Sequence, residues 1–369
     1  MQATVSSHAL GELDTHNTRD ALLHRTKGRT IHIPSLTFIF RDWEGVAIEH
    51  VNPWLPILRQ KVAKRLANLR FDEEKQRHLE AADFAYFTAL WWPDAQLEQL
   101  ETLAYLVIWL FTWDDEIDQP TGLYAEDYSG ARSYRDDTLN FVAACLGLLP
   151  KRSIQLPLND IIQSFDIIGS SLHDLYDSEQ CRRFYDKIAQ FMSASQVEQK
   201  YRLTGILPTL EEYWNFRLGT SAVYIGTASA EFSLGIRLPP KIMRSESMTA
   251  IWRQTNIIIS ITNDLLSMRK EIERGCIDSL VPLVFASSDD TGIATSQAIQ
   301  LLEAAKAQFD RSATALIREG IQAGYSVEVQ RFIEVQRSNC VGNLIWSLQT
   351  KRYNMAEAMN EDGSHTLTF

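Results

Sequence analysis

Residues 103–118 read LAYLVIWLFTWDDEID. Positions 103–113 form the most hydrophobic stretch of the chain, eleven residues long, and acidic side chains follow it at once. A membrane-spanning helix needs about 20 consecutive apolar residues, so this stretch is too short to cross a bilayer. It predicts a buried helix of a soluble protein, with carboxylates at its carboxyl-terminal end.

The same helical pattern continues on both sides. Prolines and glycines interrupt the sequence at intervals typical of helices, and between them apolar residues recur at spacings of three and four. Positions 251–272 are an example, with apolar residues at 251, 258, 261, 265 and 272. Alternation typical of β-strands is almost absent. The sequence therefore predicts an all-α fold of about ten to twelve helices.

Length and composition favour one large domain. The chain has 369 residues, 45% of them hydrophobic, which is enough for a sizeable core. Positions 1–30 mix polar and charged residues without an apolar run, so we expect a disordered tail there. The folded domain is expected over 31–355, followed by a flexible tail at 356–369. Positions 119–135, rich in Pro, Gly, Ser, Tyr and Asp, predict a loop that can cover a site.

The charge balance argues against nucleic acid as a partner. The chain has 36 basic and 47 acidic residues, a formal net charge of −11, and no Lys/Arg cluster that would follow a phosphate backbone. Its four cysteines stand far apart, without metal-binding spacing or the density of a disulfide scaffold. Free thiols and the lack of a signal-peptide pattern predict a cytoplasmic protein.

Four carboxylates stand among five positions at the end of the apolar stretch: Asp114, Asp115, Glu116 and Asp118. They repel one another, and anions at the carboxyl end of a helix also oppose the helix dipole. Asp114 and Asp118 are one turn apart and share a face, so a hard divalent cation held by them would offset the repulsion. A solvated acidic helix end is the simpler alternative.

Aromatic residues beside these carboxylates favour a cavity over open surface. Acidic groups that border a hydrophobic helix are typical of the mouth of an apolar pocket. Aromatic faces also stabilise positive charge by about 0.5–2 kcal/mol each. Residues in such positions are more often ordinary core than cavity wall. The candidates are Phe87, Trp109, Phe111, Tyr213 and Trp346.

A second polar constellation lies at 263–271, which reads NDLLSMRKE. Asn263, Ser267 and Glu271 are spaced i, i+4 and i+8, which aligns three oxygen ligands along about 12 Å of one helix face. Amide, hydroxyl and carboxylate oxygens suit Mg²⁺, which keeps water ligands and shares phosphate oxygens. The alternative is a polar stripe that faces water.

Together the two constellations resemble a known family. DDEID at 114–118 resembles the aspartate-rich motif of class I terpene synthases, and NDLLSMRKE resembles their Asn/Ser/Glu triad, in particular that of fungal sesquiterpene cyclases. The resemblance covers about residues 50–355. It implies a single-domain helical bundle around a central apolar cavity.

Two further positions agree with the family pattern. The family has a diphosphate-sensing Arg 46 positions before the triad Asn, and Arg217 stands there. It also has an Arg-Tyr pair about 80 residues after the triad, where this chain has Arg352 and Tyr353. Taken alone, Arg217 would be an ordinary surface residue of a helix, and the Arg-Tyr pair a charged helix end.

The resemblance implies a site for three Mg²⁺ ions, in which Mn²⁺ can substitute. Asp114 is the expected carboxylate ligand of the first motif. Asp118 is a further candidate ligand, and Asp115 is a candidate either for ligand orientation or for pairing with an arginine. The Asn/Ser/Glu triad is expected to share another ion.

The resemblance also implies a set of diphosphate-binding residues. Arg217, Lys270 and Arg352 are expected to pair with diphosphate oxygens, and the Tyr353 hydroxyl to donate a hydrogen bond. A glycine two positions after Arg217 predicts a break in that helix. In the family, the residue four after the sensor Arg presents a backbone carbonyl to the nascent cation, which assigns that catalytic role to Ser221.

The function that the resemblance implies is that of a carbon–oxygen lyase: Mg²⁺-dependent ionisation and cyclisation of farnesyl diphosphate to a sesquiterpene hydrocarbon or alcohol. An isoprenoid diphosphate is thus the expected partner, and both a monomer and a homodimer stay open. Two alternatives also stay open: a diterpene cyclase that uses geranylgeranyl diphosphate, and a catalytically inactive helical relative that acts as a binding protein. A prenyl elongase would carry two aspartate-rich motifs, and the triad disfavours it.

Overall fold

Helices make up nearly all of the regular structure, and the predicted all-α fold is confirmed. A computed structural model describes residues 18–43, 50–69, 71–150 and 155–369. The α-helices in these ranges are α1 (Arg19–Thr26), α2 (Leu55–Asn68), α3 (Glu73–Ala81), α4 (Phe84–Trp91), α5 (Leu97–Asp118), α6 (Tyr128–Cys145), α7 (Asp160–Gln163), α8 (Asp166–Leu175), α9 (Ser178–Thr204), α10 (Leu210–Thr220), α11 (Val223–Ala228), α12 (Ala230–Leu234), α13 (Pro240–Met243), α14 (Glu246–Glu273), α15 (Leu280–Ser288), α16 (Thr291–Ala323) and α17 (Ser326–Gln349). Two strands, β1 (Thr30–Ile33) and β2 (His365–Thr368), and two short 3-10 helices, Leu36–Phe40 and Met355–Ala358, are also present.

The described ranges contain more helices than the ten to twelve expected. Four of them, α7, α11, α12 and α13, have only four to six residues. They arise where a turn interrupts a longer helical segment, as where α10, α11 and α12 follow one another with few residues between them. The spacing of apolar residues continues through such turns, so a sequence pattern counts the interrupted segment as one helix.

α14 is the central helix of the bundle. It contacts α10, α11, α13, α15, α16 and α17. The five apolar positions that the sequence pattern singled out, at 251, 258, 261, 265 and 272, are all buried. Because other helices surround α14, polar side chains on it are held in a fixed environment.

α5 contains the most hydrophobic stretch of the chain. It has 22 residues and buries Leu103, Leu106 and Trp109 in the core. None of the helices in the described ranges has the length and apolar character that a bilayer crossing requires. The hydrophobic stretch is therefore part of the core of the bundle, as predicted.

The two ends of the described chain pair with each other. β1 and β2 are antiparallel, with Thr30 opposite Thr368. Ile31, Ile33 and Leu367 are no more than 2% exposed, whereas the positions between them face solvent. This alternation is that of a strand pair with one buried face, so the sheet joins both ends of the chain to the helices.

Both predicted tails therefore differ from the structure. Within the tail expected at 1–30, α1 and the start of β1 are ordered, and positions 1–17 lie outside the described residues. Within the tail expected at 356–369, part of a 3-10 helix and all of β2 are ordered. The strands have only four residues each, which is too short for an alternating pattern to stand out in a polar segment.

Arginines hold α1 against the bundle. Arg25 donates to the Ala286 carbonyl at 3.3 Å and pairs with Asp289 at 3.0 Å. Arg19 forms an ion pair with Asp278, in the segment between α14 and α15. These contacts place α1 over the segment that follows α14.

The predicted loop 119–135 is a loop only as far as residue 127, because α6 begins at Tyr128. The second half of that prediction is wrong. The Gln199 side chain of α9 donates to the Tyr124 carbonyl at 2.8 Å. The remaining loop is therefore attached to α9.

Leu367→Ala should lower the free energy of unfolding by about 2–5 kcal/mol, because it removes a fully buried side chain that joins β2 to the bundle. Chemical denaturation followed by circular dichroism measures the change. Thr366→Ala, at the exposed neighbouring position of the same strand, is the matched control; it removes only an exposed hydrogen bond from Asn360 and should change stability by less than about 1 kcal/mol. Equal effects of the two substitutions would contradict the burial of this strand face.

Candidate active site

A cavity of about 280 Å³ opens where α5, α9, α10 and α14 meet the segment after α17. Part of its wall is apolar and is lined by Phe87, Trp91, Leu106, Val107, Leu110, Phe111, Val223, Ile259 and Trp346. Another part carries charged and polar groups: Asp114, Asp118, Glu198, Arg202, Arg217, Asn263, Lys270, Glu271, Arg274, Arg352 and Tyr353. A largely apolar wall with converging polar groups is typical of a ligand pocket.

The polarity of the wall changes in the same direction along two helices. On α5 the lining residues are apolar up to Phe111 and acidic from Asp114 onward, and on α14 they change from Ile259 to Asn263. A helix rises about 1.5 Å per residue, so each change takes only about 4.5–6 Å. The cavity therefore has a charged end at the carboxyl-terminal halves of these helices and a separate apolar region.

The acidic motif of α5 is divided between the cavity and its surroundings. Asp114 and Asp118 line the cavity. Asp115 instead forms an ion pair with Arg352 at 3.5 Å, and Glu116 pairs with a lysine of α3 at 2.6 Å. Asp114 and Asp118 are thus the two carboxylates of the motif that face the cavity, and Asp115 pairs with an arginine.

The carboxylates in the cavity repel one another. The pKa of Asp114 is raised well above its ordinary value, first by burial and then by the charges of Asp118 and Glu198. Burial also raises the pKa of Asp118, and it raises the pKa of Glu198 to about 8, with Asp118 adding to the effect. Positive charge in the cavity would relieve this repulsion. Buried, mutually repelling carboxylate oxygens are a donor set that fits a hard divalent cation.

These carboxylates do not form a closed metal site by themselves. Across the described ranges, no three Asp, Glu, His or Cys side chains are grouped closely enough to hold a metal ion. Mg²⁺ commonly takes only one or two carboxylates and completes its shell with water and substrate phosphate oxygens. The cavity therefore fits ions that a phosphorylated ligand helps to hold.

The Asn/Ser/Glu triad reaches the cavity at two of its three positions. Asn263 and Glu271 line it, and burial followed by the charge of Asp264 raises the pKa of Glu271. Ser267 is buried, with its hydroxyl 2.7 Å from the Asn263 carbonyl oxygen and 2.5 Å from Glu271 Oε1. The Ser267 hydroxyl is therefore bonded to its own helix, beside the Glu271 carboxylate that lines the cavity.

A buried carboxylate fixes Arg217 of α10 beside the triad. The Arg217 guanidinium donates to Asp264 Oδ1 at 2.7 and 3.1 Å and to Asn263 Oδ1 at 2.8 Å. Asp264 also accepts from the Tyr213 hydroxyl and from the Leu280 amide. Burial alone would lower the pKa of Arg217, but Asp264 and Tyr213 raise it above its ordinary value. Arg217 is thus a charged and oriented group of the cavity, and the sequence analysis did not identify the role of Asp264.

The Arg-Tyr pair lies at the same charged end. Tyr353 Oη accepts from Asn263 Nδ2 at 3.0 Å, which leaves the phenol hydrogen available for donation. Lys270 Nζ lies 5.6 Å from the centre of the Tyr353 ring. Burial and then the charge of Arg352 lower the pKa of Lys270 to about 7. An anion between these cations would keep Lys270 protonated.

Besides Asp264, five charged lining residues escaped the sequence analysis: Arg19, Glu198, Arg202, Arg274 and Asp278. Glu198 and Arg202 are one turn apart on α9, and Arg202 lies 3.9 Å from Asp118. α9 carries charged residues along most of its length, so its sequence does not indicate which of them face a cavity. Arg19 belongs to the segment that was expected to be a disordered tail.

Ser221 lies at a break between α10 and α11. The break was predicted at Gly219, and it occurs two residues later. α10 continues to Thr220, and Ala222 adopts the left-handed conformation with a φ of 57°. Gly219 instead allows close packing on α9, because a Cβ at this position would lie 2.3 Å from the Cβ of Ala194. Ser221 itself lines the cavity.

Three of the five candidate aromatic residues line the cavity: Phe87, Phe111 and Trp346. Their ring centroids are 5.0–6.1 Å apart, so the three rings form one continuous surface. Trp109 and Tyr213 are buried elsewhere in the core. The sequence does not distinguish aromatic residues that line the cavity from those packed in the core, because both environments are formed by the same apolar residue types.

Proteins of similar sequence are terpene cyclases. The family described as "Terpene synthase family 2, C-terminal metal binding" matches residues 105–308, a span that includes both the acidic motif and the triad. The chain is 35% identical over 358 residues to the sesquiterpene cyclase hepA of Aspergillus oryzae, which covers 94% of this chain and 95% of hepA. It is 25% identical to the terpene cyclase braA of Annulohypoxylon truncatum, over 72% of this chain and 70% of braA.

Solved structures of similar fold are terpene synthases of low sequence identity. An α-eudesmol synthase superimposes with a TM-score of 0.72 at 17% identity, over 81% of this chain and 96% of its own. A linalool/nerolidol synthase from Streptomyces clavuligerus, solved with 2-fluorogeranyl diphosphate, gives a TM-score of 0.70 at 17% identity, over 82% of this chain and 97% of its own. At this identity the likeness supports the fold.

In a buffer with a chelator, the protein should lose thermal stability as the pH rises from about 5 to about 8. The pKa of Glu198 is raised from 4.5 to about 8 in the folded protein, so folding strengthens proton binding, and this stabilisation disappears as the pH rises through the higher value. Thermal unfolding at several pH values measures the effect.

Glu198→Gln should flatten this pH dependence, because the substituted side chain does not titrate. Glu211→Gln, at an exposed position of α10, is the matched control and should leave the dependence unchanged. An identical pH profile in the wild type and in Glu198→Gln would contradict a raised pKa at this site.

Proposed function

The chain belongs to the terpene synthase family, and on that premise we propose that it is a class I terpene cyclase. In this proposal it ionises farnesyl diphosphate in a Mg²⁺-dependent reaction, releases diphosphate and folds the cation into a cyclic sesquiterpene hydrocarbon or alcohol. The observation that carries the proposal is a single cavity in which mutually repelling carboxylates and several cations border an aromatic wall. The reaction requires both a charged and an apolar region, because the leaving diphosphate is an anion and the isoprenoid part of the substrate becomes a hydrocarbon cation.

The similarity to hepA supports a substrate of fifteen carbons. That relative is named a sesquiterpene cyclase, and the alignment extends over 94% of this chain. An isoprenoid diphosphate is then the small-molecule partner of the site. We propose further that the enzyme acts in the cytoplasm, as a monomer or a homodimer.

Asp114 and Asp118 on α5, and the triad Asn263, Ser267 and Glu271 on α14, would hold the metal. Three Mg²⁺ ions are proposed, with Mn²⁺ able to substitute. Oxygen donors and the buried charge of Asp114 support a hard divalent cation. Bound metal would supply Lewis-acid chemistry to the leaving diphosphate. Ser267 would join the ligand set through a lone pair of its hydroxyl oxygen, beside Glu271.

Side-chain cations of the charged end would bind the diphosphate oxygens. Arg217 is already oriented by Asp264, and Arg352 by Asp115, so both guanidinium groups are fixed before the substrate enters. Lys270 would gain its full charge beside the polyanion. The Tyr353 hydroxyl would donate a hydrogen bond. Charge-assisted hydrogen bonds of this kind disperse the charge of the leaving group and oppose its return to the cation.

The apolar region would hold the cation. Phe87, Phe111 and Trp346 would offer ring faces, each able to stabilise a passing positive charge by about 0.5–2 kcal/mol. At the break after α10, no backbone amide of a described residue donates to the Ser221 carbonyl, since the Ile225 amide donates to Ala222 at 3.0 Å. A carbonyl oxygen without a donor is suited to face a developing positive charge, which is the role proposed for Ser221.

The decisive experiment is incubation of the purified protein with farnesyl diphosphate and Mg²⁺, followed by gas chromatography and mass spectrometry of a solvent extract. A cyclic C15 hydrocarbon or alcohol that is absent after chelation would establish the proposed function. Activity only with geranylgeranyl diphosphate would replace it by the diterpene cyclase. No turnover of either substrate would favour a binding protein without catalytic activity.

Asp114→Asn should reduce product formation by about 100-fold or more, because it removes a proposed ligand charge at constant volume. Its thermal stability without metal should not fall, since the substitution also removes a buried repulsion. Initial rates and thermal unfolding measure the two effects. Asp136→Asn, on the exposed face of α6, is the control and should retain full activity. Normal activity of Asp114→Asn would exclude Asp114 from the metal site.

A further inference from the structure

A buried amide connects the break after α10 to the central helix. Asn256 on α14 is fully buried, and its Nδ2 donates to the Leu218 carbonyl at 2.7 Å. Its Oδ1 accepts from the Ser221 hydroxyl at 2.9 Å and from the Ser260 hydroxyl at 3.1 Å. Both serines line the cavity.

The backbone at the break explains why the Leu218 carbonyl needs this donor. In a continuous helix, the Leu218 carbonyl would accept from the amide of residue 222. At the break the Ala222 amide donates to the Gly219 carbonyl instead, at 3.3 Å, and the left-handed conformation of Ala222 then ends the helix. The Asn256 side chain therefore replaces the hydrogen bond that the break removes, and it holds the broken conformation in place.

The orientation of the Asn256 amide follows from its partners. A carbonyl oxygen only accepts, so Nδ2 must face Leu218, and Oδ1 must then face the two hydroxyls. Each hydroxyl has one hydrogen, and both hydrogens are directed at Asn256. The oxygens of Ser221 and Ser260 therefore meet the cavity as hydrogen-bond acceptors, not as donors. One of them, Ser221 Oγ, also accepts from the Val223 amide at 3.3 Å.

We propose that Asn256 is a positioning residue that sets the polarity of the cavity wall toward the carbocation. It withdraws two hydroxyl hydrogens from the cavity and stabilises the break that frees the Ser221 carbonyl. The inference rests on the proposed function, because acceptor oxygens in this wall stabilise a cationic intermediate, whereas donor hydrogens would oppose it. In a cavity from which water is excluded, fixed dipoles aimed at a developing charge stabilise it more strongly than they would in water.

The position of Asn256 on α14 links this wall to the charged end. Asn256, Ser260 and Asn263 follow one another at spacings of four and three, so they share a face of one helix. Seven residues separate Asn256 from Asn263, which corresponds to about 10 Å along the axis. One buried helix thus fixes the distance between the proposed diphosphate site and the polarised wall.

Asn256→Leu tests the proposal, because it keeps a buried side chain of similar volume and removes both sets of hydrogen bonds. Wild type and variant are incubated with farnesyl diphosphate and Mg²⁺, and total turnover and product composition are measured separately. The ratio of acyclic and prematurely deprotonated products to the main wild-type product should rise by about tenfold or more. Thr262→Val is the matched control, because its buried hydroxyl bonds only to its own helix, at the Ile258 carbonyl, and it should keep the wild-type composition.

A double variant, Ser221→Ala with Ser260→Ala, separates cavity polarity from helix packing. It removes the two acceptor oxygens but leaves the Asn256 bond to Leu218, so the composition should change in the same direction as in Asn256→Leu. It also provides the test if Asn256→Leu does not fold. Adding Asn256→Leu to the double variant should cause a smaller further change than in the wild type, since no hydroxyl remains to be oriented.

The outcomes separate this inference from the proposed function. An active wild type whose product composition stays the same in the folded Asn256→Leu and double variants would overturn the role of Asn256 alone. A wild type without turnover of any isoprenoid diphosphate would overturn the proposed function, and this inference with it. A loss of thermal stability with unchanged composition would reduce Asn256 to a packing residue and overturn the inference.

Discussion

Burial of like charges around one cavity is the constraint on which the rest of this structure depends. Asp114, Asp118, Glu198 and Glu271 approach from three helices, and burial makes the ionised form of each unfavourable. A bundle that gathers these groups must supply compensating charge, and it does so with arginines and a lysine on surrounding elements. The negative charge that these side chains do not offset is available to bind divalent cations, which the proposed reaction requires.

The second organising feature is the division of the cavity into a charged and an apolar region. α14 extends along both: Asn263 and Glu271 belong to the charged end, and Ile259 belongs to the apolar wall. Asp264, the neighbour of Asn263 on α14, is buried and orients Arg217 of α10. The same helix therefore positions proposed metal ligands, the proposed diphosphate sensor and, through Asn256, the wall that would face the cation.

Several features could be predicted because they are local. The helical class follows from apolar spacing, and the positions of both motifs follow from residues that lie within two turns of a helix. The resemblance also singled out Arg217, which lines the cavity beside Asn263, although nothing in its own segment marks it. The ends of the chain were misjudged because β1 and β2 stabilise each other across the whole length of the sequence, and each is polar when considered alone.

The sequence by itself determined that the protein is helical and that two sets of oxygen donors stand on separate helices, since these depend on the spacing of near neighbours. Only the tertiary structure decided that Asp115 pairs with Arg352 while Asp114 faces the cavity, and that Glu198 joins it there. The physical reason is that the rotation of a helix about its axis is set by packing against elements distant in sequence. Buried contacts between such elements, and the pKa shifts they cause, have no signature in any one segment.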